Sequence, residues 1–356
     1  MNYKRIFCTF LKSVLMCSRL RKIKSSEKWV HSLSQMLSEI DYHKIKEIKD
    51  GLNFLEGIAF DNIQLVHKSK MRSSRQNPVL MCVLRDERER IEIFLEHYRN
   101  LGIKHFVILD NDSMDGTLEY LLEQKDTDIF TVKRAFSDGR KQGWINWLLC
   151  LYGFDRWYLY VDADELLDWP ERGRKDLKDI INNLETNGIT RAGAIMVDMY
   201  PKGEIFKREI GNFDISSFYF DKDSYYTIQE GDKTIYTGGP RKRVFNMECW
   251  LSKYPLFKLQ PGEMQLSAHY VYPYHPHRKY PFVFALLHFK FLTSKDLAKT
   301  KRYVKEKNHT NNSIEWKRYL ENYNKGVNRL YDKGSIQYEG SESLSYIKEI
   351  VKISEM

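Results

Sequence analysis

Three apolar runs in this chain each end in a cluster of acidic side chains, and a helical pattern follows each of the first two. The runs cover residues 78–84, 105–109 and 157–161, and the first acids after them are Asp86, Asp110 and Asp162. Apolar residues recur at helical spacing over 91–101 and again over 118–124. Alternating strands and helices predict a mostly parallel α/β sheet, whose ligands bind beyond the carboxyl ends of the strands. We therefore expect the acidic clusters to lie at one edge of the sheet.

The cluster with the clearest chemistry is Asp162-Ala163-Asp164-Glu165. Residues two apart in a regular strand share one face, about 7 Å apart, and a turn beyond the strand end lets both carboxylates converge. Carboxylates in this position suit a hard divalent cation that also holds phosphate oxygens. The pattern predicts a site for Mn²⁺ or Mg²⁺.

The cysteine pattern bears on the redox environment. The chain has 356 residues and five dispersed cysteines, with no Cys-x-x-Cys pair. Cys82 and Cys150 lie in apolar runs, where we expect small core residues. No disulfide framework or zinc site is indicated, which favours a reducing compartment.

The net charge of +9 is concentrated at the amino terminus. Residues 1–24 hold seven basic residues and no acid, so they carry +7 and the other residues carry 9 − 7 = +2. A basic amphipathic segment suits the anionic inner surface of a membrane, although a docking helix or a frayed terminus is an equal alternative. We expect a cytoplasmic protein, with peripheral membrane contact through residues 1–24 as one interpretation. The nearly neutral remainder argues against a nucleic-acid partner, which needs an extended basic surface.

An ordered set of motifs resembles a bacterial branch of glycosyltransferase family 2. The motifs are Arg85-Asp86-Glu87, His97-Tyr98-Arg99-Asn100-Leu101-Gly102, 110–117, 162–165, 238–245, 253–256 and 287–290. Within them, Asp86 replaces the usual Asn, and Asn111 replaces the second Asp of the commoner Asp-Asp-Gly-Ser form. The resemblance covers roughly residues 78–292 and implies a GT-A-like (Rossmann-like) fold with an N-terminal extension and a helical C-terminus.

This resemblance implies a metal-dependent, inverting transfer from a nucleotide-diphosphate sugar to a glycan or glycolipid acceptor. Asp164 is the first choice as metal ligand, since the second Asp of the motif usually binds the metal, and Asp162 is the second. A late histidine on the metal or diphosphate is also implied, with His288 preferred over His269. Relatives serve lipopolysaccharide or capsule synthesis, so such a pathway is our working hypothesis.

Further residues are candidate donor contacts. By resemblance, Asp110 accepts a hydrogen bond from the base or the sugar hydroxyls. The others are Asp86, Glu87 and Asp112 at the acidic edge, and Arg140, Lys141 and Asn146 at a basic helix start. Arg241 and Arg243 lie in the loop 238–243, which we interpret as a diphosphate clamp or, alternatively, a solvated hairpin. The acidic residues have helix capping or turn formation as their alternative role.

An inverting transfer needs a general base. Asp198 follows the strand-like run 194–197, so its carboxylate is expected to project from the sheet edge, and it is the candidate base. Glu204, Asp214, Glu230 and Glu263 are alternatives that spacing does not exclude.

The sequence divides into five segments. These are a basic tail (1–24), an N-terminal extension and linker (25–77), a nucleotide-sugar-binding core (78–245), an acceptor-side part of the same domain (246–293) and a C-terminal helical segment (294–356). The extension suggests a helix near Trp29 and one or two short strands between Phe54 and Val66.

Two other classes of protein remain open from the residues alone. A metal-dependent nucleotidyltransferase or phosphohydrolase also places carboxylates at strand ends, although a Gly-rich phosphate cradle is missing after the first strand. A basic nucleic-acid-binding protein is the second alternative, which the charge distribution disfavours.

Overall fold

The structure, a computed structural model, describes residues 51–71, 77–209, 211, 213–231, 233–267, 269–272, 281–306 and 313–355. The predicted basic tail 1–24 and the predicted helix near Trp29 lie outside these residues. Within the described ranges, no helix has the length and apolar character needed to cross a bilayer.

The described residues form an α/β protein. Its strands are β1 (Gln64–His67), β2 (Val79–Leu84), β3 (Phe106–Asp110), β4 (Thr127–Thr131), β5 (Arg156–Tyr160), β6 (Glu165–Asp168), β7 (Arg191–Asp198), β8 (Tyr200–Pro201), β9 (Phe218–Asp221), β10 (Tyr225–Glu230), β11 (Lys233–Gly238), β12 (Ser252–Leu259), β13 (Met264–Ser267), β14 (Tyr270–Tyr272), β15 (Phe282–His288) and β16 (Ser335–Gln337). Its helices are α1 (Gly51–Ala59), α2 (Ile91–Asn100), α3 (Thr117–Leu122), α4 (Asp138–Tyr152), α5 (Leu177–Thr186), α6 (Gly239–Phe245), α7 (Ser294–Glu306) and α8 (Ile314–Asn324). Short 3₁₀ turns cover Ile215–Ser217, Ser341–Tyr346 and Ile353–Glu355.

A central sheet of nine strands has the order β1-β4-β3-β2-β5-β12-β7-β15-β6. The neighbours β4, β3, β2 and β5 are parallel, and β7 is parallel to β15. Strand β12 lies antiparallel between β5 and β7, so those two strands share one direction. The edge strands β1 and β6 are antiparallel to their neighbours. The predicted α/β class is therefore confirmed, as a mixed sheet with a parallel core.

Helices cover both faces of the sheet. Strands β2 and β3 are buried along their whole length, as expected for parallel strands between helical layers. Helices α1 and α4 pack on one face, and α2, α3 and α5 pack on the other. Strands β12 and β15, from the predicted acceptor-side part, belong to this same sheet.

Two glycines allow α1 and α4 to approach closely. A Cβ atom on Gly57 would lie 2.5 Å from the Arg140 carbonyl oxygen, and one on Gly143 would lie 2.9 Å from Gly57 Cα. Both distances are shorter than real side chains tolerate, so only glycine fits at this crossing. The contact fixes the amino-terminal half of α4, which carries Lys141.

One local prediction holds in part and another was wrong. Of the one or two short strands expected between Phe54 and Val66, the structure has β1 (Gln64–His67). The first half of the segment lies in α1 instead, because Phe54 and Ile58, four residues apart, pack on α4. The loop expected over 238–243 contains helix α6. Pro240 lies in its first turn, where proline favours a helix start, and Asn246 ends it with φ 52°.

Candidate functional site

The loops after β2 and β3 are tied to each other. The Asp86 amide donates to Ser113 Oγ (2.8 Å), and the Met114 amide donates to Asp86 Oδ1 (2.9 Å). Asp115 accepts from the amides of Arg88 (3.0 Å) and Thr117 (3.1 Å). Asp86 and Asp115 therefore hold the shape of this edge, the turn-forming alternative considered for such acids.

A cavity of about 640 Å³ opens beside these loops. Asp110, Asp112 and Ser113 line one side, and Gln64, Lys133 and Arg134 line another. Asp110 is fully buried, and its Oδ1 accepts from the Ser113 amide at 3.0 Å. Its Oδ2 has no hydrogen-bond partner among the described residues, and burial raises the pKa of this carboxyl. A buried acceptor without a partner at a cavity wall is suited to receive an N–H or O–H group from a ligand.

Asp162 is held by two lysines. Lys141 Nζ lies 2.5 Å from Asp162 Oδ1, and Lys253 Nζ lies 3.0 Å from Oδ2. Lys253 also contacts Glu165 Oε1 at 2.5 Å. Burial alone would raise the pKa of Asp162, but the two ammonium groups hold it well below its usual range. The first carboxylate of the acidic motif therefore has both oxygens engaged by cations from the protein.

Asp164 faces a different partner. His288 Nε2 lies 3.4 Å from Asp164 Oδ2, and His288 Nδ1 lies 2.7 Å from Asp198 Oδ1. Burial opposes charge on His288, but Asp164 and Asp198 raise its pKa above the ordinary value. The Asp164 side chain is 27% exposed and that of Asp198 is 1% exposed. The imidazole thus joins an accessible carboxylate to a buried one.

Arg241 completes this group. Its Nε and Nη2 bind Asp198 at 2.8 and 2.7 Å, and its Nη1 lies 3.5 Å from Glu315. Because Asp198 is buried and bound by Arg241 and His288, it is placed to orient His288. These contacts suit a positioning role better than the predicted base role, and the burial of Arg241 places it in the interior instead of in a diphosphate clamp.

Four other predicted contacts have partners within the protein. Arg140 binds Glu56 and lies 3.1 Å from Asp61, so it ties α4 to the α1 region. Asn146 is fully buried and exchanges hydrogen bonds with the Gln265 backbone at 2.6 and 2.9 Å.

Arg243 binds Asp221 Oδ1 (2.8 Å) and Asp332 (2.9 Å), which satisfies the guanidinium expected at the diphosphate. His269 Nδ1 donates to the Ser252 carbonyl at 2.9 Å, and burial, followed by Lys253, lowers its pKa to about 4. These four residues serve the scaffold in this structure.

Helix α7 adds two residues that the sequence did not predict. Lys299 Nζ lies 2.6 Å from Glu87 Oε1, and Arg302 Nη1 lies 3.0 Å from Asp86 Oδ2. At the same edge, Asp112 pairs with Lys133, which follows β4, at 3.4 Å. The only local sequence pattern that indicates these contacts is the repeat of basic residues at 295, 299 and 302, which share one helix face. The predicted helical segment therefore supplies charge to the site edge.

The metal prediction can be compared with the donor set. The described residues contain no group of three or more His, Cys, Asp or Glu side chains able to hold a metal ion by themselves. Asp164 and His288 form a pair, and His288 Nδ1 contacts a carboxylate, as is common for metal-binding histidines. Mg²⁺ is often held by one or two carboxylates with substrate phosphates and water completing its shell. Asp164 would supply one such carboxylate, and the His288 imidazole lies beside it.

Comparison with known proteins adds no family assignment. No protein-family model matches the chain, and no curated protein matches it.

Proposed function

We propose that this chain is a glycosyltransferase of GT-A type, which uses a nucleotide-diphosphate sugar as donor. The observation that carries the proposal is Asp110 Oδ2, a buried acceptor without a described partner at the wall of a cavity of about 640 Å³. This cavity lies at the same sheet edge as the acidic motif, because β3, β2 and β5 are parallel neighbours. Two strand spacings separate Asp110 from Asp162, about 10 Å, a span comparable to a nucleoside.

In this proposal the base or ribose enters the cavity and donates a hydrogen bond to Asp110. The diphosphate then extends along the carboxyl ends of β2 and β5 toward Asp164. A bound Mn²⁺ or Mg²⁺ would supply Lewis-acid stabilisation of the departing diphosphate. On the protein side, Asp164 and His288 would hold it, and Asp198 with Arg241 would keep the His288 ring oriented.

The acceptor in this proposal is a hydroxyl of a cell-surface glycan, with lipopolysaccharide or capsule as the working hypothesis. Inversion at the sugar carbon is part of the proposal through the family resemblance alone.

The direct test is an incubation of the full-length protein with UDP-, GDP-, CDP- and TDP-sugars and Mn²⁺. We expect release of one nucleoside diphosphate together with free or transferred sugar, and loss of this release in Asp164→Asn. Release of pyrophosphate or inorganic phosphate, with no nucleoside diphosphate and sugar, would identify the nucleotidyltransferase or phosphohydrolase alternative. Lys258→Met is the control, because Lys258 lies on β12 opposite Trp157, at the other end of β5 from the acidic motif.

A further inference from the structure

We propose that Lys141 binds the diphosphate of the donor directly, and that nucleotide binding therefore persists without a divalent cation. In this proposal Lys253 holds Asp162 in place, and Asp162 in turn holds the Lys141 ammonium group at the diphosphate. This inference rests on the proposed function and names the groups that recognise the donor phosphates. It also gives a role to the 253–256 motif, to which the sequence assigned none.

The first step is the arrangement of the two lysines about Asp162. They reach it from different elements: Lys141 lies in the first turns of α4, and Lys253 lies at the start of β12. Each takes a different oxygen of Asp162, at 2.5 Å and 3.0 Å. A metal ion that used Asp162 as a ligand would therefore share each oxygen with an ammonium group, whose positive charge opposes its binding.

The second step is burial. The side chains of Lys253 and Glu165 are 5% and 1% exposed, so their contact at 2.5 Å lies away from water. Separating a buried lysine from its carboxylate partners leaves an uncompensated charge, which is strongly unfavourable. Lys253 is consequently a fixed internal cation, and Asp162 stays oriented by it.

The third step distinguishes the two lysines. The Lys141 side chain retains 13% exposure, against 5% for Lys253, so Lys141 is the lysine that a ligand can reach. An ammonium group has three N–H donors, and Lys141 directs one to Asp162. Its position near the amino end of a 15-residue helix adds the positive end of the helix dipole, which favours an anion.

An independent observation marks the same place. Tyr160, at the end of β5, is 4% exposed, and Lys141 Nζ lies 5.9 Å from its ring centroid. The Tyr160 hydroxyl has no hydrogen-bond partner in the described part of the chain. Buried hydroxyl groups are normally hydrogen-bonded, so a phosphate oxygen at Lys141 would give this O–H an acceptor.

The experiment is calorimetric titration of the full-length protein with UDP, GDP, CDP and TDP, in excess EDTA and again with Mn²⁺. We expect one of them to bind in EDTA. Lys141→Met should weaken that binding about tenfold or more, since a hydrogen bond to a charged group is lost. Lys258→Met, at the other end of β12 in a half-exposed pair with Glu185, should change it by no more than about twofold.

Lys253→Met alone leaves Asp162 and Glu165 without this cation and tests folding as well as binding. The double variant Lys253→Met with Glu165→Gln removes that charge imbalance, and we expect it to fold and to bind nucleotide more weakly than the wild type. Circular dichroism of each variant establishes that it is folded.

The outcomes separate this inference from the proposed function. Binding that requires Mn²⁺ and disappears in EDTA would overturn the lysine proposal and leave the transferase proposal standing. Binding in EDTA that Lys141→Met does not weaken would also overturn it. No binding of any nucleotide under either condition, by folded protein, would overturn both.

Discussion

His288 Nδ1 lies 2.7 Å from Asp198 Oδ1, and these two residues are direct neighbours in the parallel pairing of β7 with β15. The strand register itself brings the ring to the carboxylate, so no flexible loop is needed to form the contact. Asp198 is in turn bound by Arg241, which leaves the other ring nitrogen of His288 directed to Asp164.

Under the proposed function, Asp198→Asn should reduce Mn²⁺ affinity about 10- to 100-fold, because it weakens the residue that supports the histidine proposed to hold the metal. The measurement is a Mn²⁺ titration followed by electron paramagnetic resonance. Asp223→Asn, with a 63% exposed side chain, is the control and should bind as the wild type does. An Asp198→Asn protein that is folded and has unchanged Mn²⁺ affinity would contradict the positioning role.

The two aspartates of the acidic motif should respond differently to the same change. Asp164→Asn should abolish measurable Mn²⁺ binding, since Asp164 is the accessible carboxylate beside His288. Asp162→Asn should leave Mn²⁺ affinity within a few-fold, since Lys141 and Lys253 already occupy its oxygens. The same Mn²⁺ titration measures both affinities, and equal losses of affinity in both variants would show that Asp162 is also a ligand.

Asp110→Asn should weaken nucleotide binding about tenfold, because a charged acceptor is replaced by a neutral one. It should not lower stability, since burial already disfavours the carboxylate and raises its pKa. Calorimetry gives the affinity, and thermal unfolding gives the stability. A large fall in melting temperature, with affinity unchanged, would assign Asp110 a purely structural role.

We expect His97 to contribute to the free energy of unfolding in a way that is lost at acidic pH. Burial lowers its pKa from 6.5 to about 4, and its Nε2 lies 2.8 Å from the Leu167 carbonyl. The folded pKa lies below the unfolded one, so the stabilisation is complete above pH 6.5 and is lost as the pH falls toward 4. The loss should be ~2 kcal/mol after allowance for the partial exposure of the ring.

The measurement for His97 is urea unfolding at several pH values, compared between the wild type and His97→Gln. The glutamine amide can donate to the same carbonyl without titrating, so the difference between the two proteins should shrink as the pH is lowered through this window. Parallel pH curves for the two proteins would rule out the His97 contribution.

Gly143→Ala should destabilise the protein by ~1–3 kcal/mol, because the added Cβ overlaps the backbone of α1. Gly173→Ala is the matched control, since a Cβ there would meet nothing within 4 Å. Chemical denaturation measures both. Equal stability of the two variants would mean that α1 can shift away from α4 without loss.

The sequence predicted the parts of this fold that local patterns determine. The apolar runs before Asp86, Asp110 and Asp162 are β2, β3 and β5, within one or two residues at each end. Such runs are visible because each strand is buried between helices and is followed at once by polar residues. The predicted core positions of Cys82 and Cys150 are likewise confirmed as fully buried.

What the sequence did not predict depends on residues far apart in the chain. Lys253 is 91 positions from Asp162, and Lys299 is 212 positions from Glu87. No periodicity reveals such pairs, because they follow from the order of strands and the docking of α7. The same limitation explains Arg243 and Asn146, whose residue types suited a donor site but whose partners are protein groups.

The position of β12 in the sheet determines when Lys253 can reach its carboxylate partners during folding. This strand lies between β5 and β7, yet it follows β7 in the chain by more than fifty residues, so the sheet is incomplete until it docks. Its alignment with β7 shifts between Lys253 and Leu256. A slip of one residue would turn Lys253 to the opposite face. Glu165 thus gains its compensating lysine, and Asp162 the second of its two, only when β12 reaches its correct alignment between β5 and β7. Such a pairing between residues distant in sequence is slow to form.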